Sequence, residues 1–125
     1  MLRLIFIIGT GSFFGGVSRF LTTRLVQNYF TSAFPLGTFA VNLMGCFLIG
    51  IFYGISEKGN LMSAEWRMFL TVGFCGGFTT FSAFASENLA LLKDSDFFWA
   101  LMYTGASIFF GLMATWLGNL LIKLF

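Results

Sequence analysis

The sequence predicts an all-α membrane protein with four transmembrane helices, the third of them broken near the midplane of the bilayer. Three observations lead there. The 125-residue chain is 58% hydrophobic and only 10% charged, with a mean hydropathy of +0.88, which is a membrane composition. Four apolar runs of ~20 residues each, the length that crosses a hydrocarbon core, leave almost nothing for a soluble domain. Residues 1–125 are therefore read as one four-helix unit. The third run, from about Trp66 to Leu92, carries Gly76-Gly77 and Thr79-Thr80 at its centre. Glycine costs a helix interior about 1 kcal/mol against alanine, and β-branched threonine is also unfavourable.

Composition also excludes function classes. The chain has no histidine, so histidine metal sites and histidine general bases are out. A net charge of +2 without a basic run leaves no nucleic-acid footprint. Cys46 and Cys75 lie inside apolar runs and form no CxxC pair, which reads as buried structural thiols.

The first span runs from about Leu4 to Val26. Arg3 before an apolar stretch resembles a signal-peptide start. No small-x-small cleavage site interrupts the run, so it is expected to remain a mature helix. Gly9-Thr10-Gly11-Ser12-Phe13-Phe14-Gly15 mimics a dinucleotide loop, but it lacks a βαβ context and an acidic residue about 20 positions on. Gly11 and Gly15 instead form a small-xxx-small face for a neighbouring helix. Arg19 ends that face. It either snorkels to the interface, as Arg24 is expected to do, or reaches inward to a carbonyl or an anion.

Pro35, the only proline, suits the first turn of the second span, about Leu36 to Ile55. Thr38 and Asn42 are four apart and share a face. Asn42 is an amide at membrane depth, serving either as interhelical glue or as a donor to a permeating anion. Gly50 and Gly54 form another close-packing pair. Ser56 to Glu65 reads as an exposed turn. Ser63 is a candidate N-cap for the third span, and Trp66 suits an interfacial belt.

Freed carbonyls at a helix break need protein, water or an ion as partner, and broken helices are where membrane proteins often place ion sites. Close packing through small residues is the plainer reading. Past the break, Thr79, Ser82 and Ser86 fall on one polar stripe, with Phe78, Phe81 and Phe84 beside it. Glu87 is the one carboxylate expected within a span, either a functional candidate for a vestibule or a hydrogen-bond network, or an interfacial residue close to the loop that Lys93, Asp94 and Asp96 mark. In the last span, about Phe97 to Ile122, Tyr103, Ser107, Gly111 and Thr115 follow one line, a polar track or hydrogen-bonding glue.

Four even spans put both termini on one side, with Arg3, Lys58, Arg67 and Lys123. The other side has Arg24, Lys93 and, at its edge, Arg19. Four cations against three do not fix an orientation. Insertion both ways permits an antiparallel, dual-topology homodimer, which also enlarges a chain too small to enclose a pore alone.

Gly76-Gly77-Phe78-Thr79-Thr80-Phe81-Ser82 resembles the central signature of the Fluc (CrcB-like) fluoride channels. Gly15-Gly16-Val17-Ser18-Arg19-Phe20 and Gly37-Thr38-Phe39-Ala40-Val41-Asn42-Leu43-Met44-Gly45 match the same pattern in the same order. The resemblance covers essentially the whole chain. It implies passive, non-enzymatic fluoride export across a bacterial inner membrane by an antiparallel homodimer with two fluoride pathways. It further implies a structural sodium ion (Na+) at the dimer centre, held by the backbone carbonyls of Gly76 and Thr79. Asn42, Phe81 and Phe84 match fluoride-lining positions, with Ser82, Thr38, Tyr103 and Ser107 as polar companions. Gly111 stands where the family often has a hydroxyl. A small proton-coupled multidrug exporter of the four-helix type is the alternative, although the first span lacks the glutamate such exporters carry. A non-transporting assembly subunit is a third reading.

Overall fold

The computed structural model describes residues 1–125. It is all helical, with α1 (Leu2–Tyr29) and α2 (Leu36–Glu57) followed by a segmented third span. That span comprises α3 (Ala64–Arg67), a π-helical stretch (Met68–Cys75), α4 (Gly76–Phe78) and α5 (Phe81–Lys93). The last helix is α6 (Phe97–Leu124). Leu2–Tyr29, Leu36–Glu57, Ala64–Lys93 and Phe97–Leu124 are each long and apolar enough to cross a membrane. The first helix outruns its expected bounds because Gln27 and Asn28 continue the helical hydrogen bonding past the apolar core.

Local signals explain the element ends. The Ser63 hydroxyl accepts the Trp66 N–H at 3.3 Å and starts the third span. Pro35 stands one place earlier than expected, outside the first helical residue, and its carbonyl accepts the Phe39 N–H at 3.1 Å. Gly59 takes φ +91° in the turn after α2, a conformation that side-chain-bearing residues seldom adopt.

Between α4 and α5, Thr79 and Thr80 leave helical geometry, with φ/ψ of −84°/157° and −150°/115°. The Thr80 hydroxyl then accepts the Ala83 N–H at 3.1 Å and caps α5. π-Helical turns are rare and cluster at functional sites; here one ends shortly before the extended pair, with only α4 between them.

Two glycine-lined contacts hold the helices together. Gly11 and Gly15 of α1 press against the carbonyls of Phe69 and Phe74, and Gly73 returns the contact against Ile8. A Cβ built on Gly73 would lie 2.9 Å from the Ile8 carbonyl oxygen. In the same way Gly50 of α2 faces the Thr115 backbone, and Gly118 of α6 faces that of Phe47. Small residues let backbones approach this closely, the usual route to helix association in lipid. The outward faces expose large apolar side chains such as Phe13, Leu101 and Phe109, which suits a hydrocarbon solvent.

Candidate functional site

Asn42 sits on α2 opposite the extended pair. Its Oδ1 accepts the Thr80 N–H at 2.8 Å, and its Nδ2 donates to the Thr80 carbonyl at 3.1 Å. One side-chain amide thus replaces the helical partners that Thr80 loses. These two bonds satisfy both backbone groups of Thr80, which open backbone in lipid requires. An amide nitrogen carries two protons, so one N–H of Asn42 remains to be offered elsewhere. Because the Thr80 N–H points to Asn42, the Gly76 carbonyl loses its ordinary α-helical donor. The neighbouring Thr79 carbonyl accepts from the Arg19 guanidinium at 3.3 Å. Arg19 therefore reaches inward to a carbonyl, whereas Arg24 lies 5.6 Å above the Phe20 ring.

A cavity of about 380 Å³ opens beside the extended pair. Asn42, Ser107, Phe81 and Phe84 line it, with Gly76, Thr79 and Thr80. The Ser107 Oγ is buried and has no hydrogen-bond partner, an expensive state that a bound polar species or ion would relieve. Phe81 is 79% exposed in the single chain, and its ring lies 5.4 Å from that of Phe84 at a tilt of 37°. Phe84 in turn meets Tyr103 edge-on at 5.0 Å.

A second, more polar groove of about 620 Å³ adjoins the cavity at Thr80. Arg19, Arg24, Thr38, Ser82 and Glu87 line it. Glu87 is fixed by two hydroxyls, accepting from Thr38 at 2.6 Å and from Tyr103 at 2.7 Å. Tyr103 is fully buried and sits under Phe34, whose ring is 5.2 Å away. Ser82 pairs with the Thr80 hydroxyl at 3.2 Å. The expected set is therefore divided. Asn42, Phe81, Phe84 and Ser107 meet in the cavity, Thr38, Ser82, Arg19 and Glu87 meet in the groove, and Tyr103 lies between them. Farther along α6, Thr115 turns its hydroxyl back to the Gly111 carbonyl at 3.1 Å.

Thr80 and Phe34 were not among the expected site residues. Thr80 carried a readable signal, because a threonine directly before a helical run is a good N-cap. Its pairing with Asn42, 38 positions away, had none. Phe34 lies in the connection before α2, where periodicity says nothing about side-chain contacts.

Four apolar spans around a cavity beside the extended Thr79–Thr80 pair define a small multi-pass membrane protein. The family described as "CrcB-like protein, Camphor Resistance (CrcB)" matches residues 6–119. A protein of Flavobacterium psychrophilum named "Fluoride-specific ion channel FluC" is 45% identical over 122 residues, covering 98% of each chain. Proteins of the same name from Bacteroides fragilis and Chlorobium phaeobacteroides are 47% and 44% identical over 123 and 118 residues. The first of these alignments covers 96% of each chain, and the second covers 94% of this chain and 91% of its relative. The chain belongs to the CrcB-like family.

Proposed function

We propose that this protein is a fluoride-selective channel that lets fluoride leave the cytoplasm passively across a bacterial inner membrane. The observation that carries this reading is the cavity in which Asn42, Phe81, Phe84 and the unpartnered Ser107 hydroxyl converge. Relatives matching nearly the whole chain bear the name of fluoride-specific channels. Fluoride is small and tightly hydrated, so a route through lipid must replace its water. The second N–H of Asn42 and the hydroxyl of Ser107 are donors for that purpose. Phenylalanine edges carry the positive end of the ring quadrupole and accept an anion edge-on. The proton-coupled exporter is disfavoured: α1 has no carboxylate, and both oxygens of Glu87 are engaged by hydroxyls.

In this reading the extended pair at Thr79 and Thr80 is a true break of the third span near the bilayer midplane. A second, antiparallel copy covers the exposed Phe81 and Gly76. The Gly76 and Thr79 carbonyls would hold a sodium ion there. Carbonyl oxygen is the right donor class for a hard cation, and the Gly76 oxygen has given up its α-helical donor. Arg19 occupies part of the Thr79 acceptor capacity. Two carbonyls from one chain make only part of a cation's shell, and a second copy would double them. When bound, the ion supplies positive charge beside the anion route.

Purified protein in liposomes is expected to release fluoride far faster than chloride, as read by ion-selective electrodes. Equal release of the two ions would overturn the assignment. Orientation gives a separate expectation. Adding about three lysines to one end should force a single orientation and impair release, and an oppositely biased partner should restore it. Full activity from one forced orientation would rule out the antiparallel pair.

A further inference from the structure

The central cavity has a second neighbour, which points away from Arg19. Thr71 lines the cavity and also a groove of about 330 Å³ formed by Tyr53, Ser56, Glu57, Arg67 and Val72. This groove lies at the end of the molecule that carries the termini. Arg3, at the start of α1, bonds Glu65 at 2.9 Å beside it. Arg19 stands 16 residues further along α1, roughly 24 Å away at the helical rise. Polar groove, cavity and terminal groove thus share Thr80 and Thr71 in turn and form one line along the chain.

The charges of the terminal groove are unequally engaged. Glu65 is taken by Arg3, and Glu57 by Lys123 at 3.8 Å and Asn119 at 3.4 Å. Both nearby carboxylates therefore have partners, and Arg67 pairs with neither. The two aliphatic hydroxyls of the groove are turned to backbone carbonyls. Thr71 donates to the Arg67 carbonyl at 2.7 Å, and Ser56 donates to the Phe52 carbonyl at 2.9 Å. With Glu57 held by Lys123 and Asn119, the charged donor left to meet an incoming anion is the Arg67 guanidinium with five N–H groups, beside the exposed Tyr53. A cation at the opening of a cleft concentrates anions there and raises their rate of entry.

We propose that Arg67 makes the terminal groove a mouth for small hydrated anions, at the end opposite the polar groove that Arg19 and Arg24 line, so that the line of cavities carries an arginine at both ends. This rests on the fluoride-channel reading and adds a residue and a site to it. Arg67 attracts the ion before dehydration and leaves the narrow part of the route unchanged.

The test is initial fluoride release from liposomes containing the full chain, in about 10 mM and about 500 mM potassium gluconate, where the screening length falls from roughly 30 Å to a few ångström. Arg67→Gln should lower the low-salt rate by about three-fold, a modest share of the on-rate gain that a charged cleft as a whole supplies. The deficit should shrink to nearly nothing at high salt, and Arg67→Lys should retain the wild-type rate at both. If Arg67→Gln does not fold, Ser56→Lys carries the test by adding a cation to the same groove, and it should speed release at low salt only. An unchanged low-salt rate, or a deficit of the same size at both salt concentrations, would overturn the proposal while leaving the channel reading intact. Absence of fluoride release from the wild-type protein would instead remove the reading beneath it.

Discussion

Asn42→Asp should abolish fluoride release. The substitution removes the Nδ2 donor that meets the Thr80 carbonyl at 3.1 Å and sets a carboxylate oxygen against that carbonyl. It also removes the N–H available to the ion and puts a negative charge on the route. Two unit charges 4 Å apart repel by about 4 kcal/mol at an effective dielectric constant of 20. That corresponds to roughly a thousand-fold loss of anion occupancy. A fluoride electrode reads the flux, and size-exclusion chromatography reports whether the purified protein keeps its assembly. Thr80→Ser is the control. It keeps the backbone atoms that pair with Asn42 and the hydroxyl that caps α5, so release should stay near wild type. Wild-type release from Asn42→Asp would reduce Asn42 to a packing and capping residue.

Phe81→Ile should lose roughly ten-fold or more of its flux, taking the upper end of ring-edge energies, about 1.5 kcal/mol. Phe81 is 79% exposed in the chain and touches few groups that hold the fold. Within the chain this site is not a packed core, and where the proposed second copy covers it a shape-altering hydrophobic swap costs about 1–3 kcal/mol. Helix content and assembly should therefore survive while conduction falls. Isoleucine retains apolar bulk and lacks only the electropositive ring edge, so the loss isolates that edge. Normal flux in Phe81→Ile would show that the ring only fills space, and Phe84 would then be the aromatic to examine.

The large-scale architecture was readable because it follows from composition and spacing. Four runs of adequate length and apolarity appear as four spans. The glycine pairs Gly11/Gly15 and Gly50/Gly54 lie against neighbouring helices, as small-xxx-small spacing requires. The Ser63 cap follows from local chemistry alone. The π-helical stretch Met68–Cys75 was not readable: nothing in Met-Phe-Leu-Thr-Val-Gly-Phe-Cys distinguishes it from an ordinary apolar helix. Side-chain partners across long separations were equally hidden. Glu87 announced itself as a carboxylate in a span, but its two donors come from α2 and α6. Thr38 and Tyr103 looked like companions of the ion, and the structure directs both hydroxyls to Glu87. The periodicity that placed them on suitable faces does not specify which neighbour each face meets.

The glycine contacts have a consequence for how the protein is made. α1 closes against the third span and α2 against the fourth, so each helix finds its main partner two places on. The first two spans to leave the ribosome cannot settle as a finished hairpin. α1 must wait in the bilayer for Phe69 and Phe74, and Gly50 of α2 must wait until Thr115 has been synthesised. A nascent chain halted after Lys93 would hold α2 with its glycine face still open to lipid. The native pairing of α2 with α6 is thereby deferred until the last span has been made.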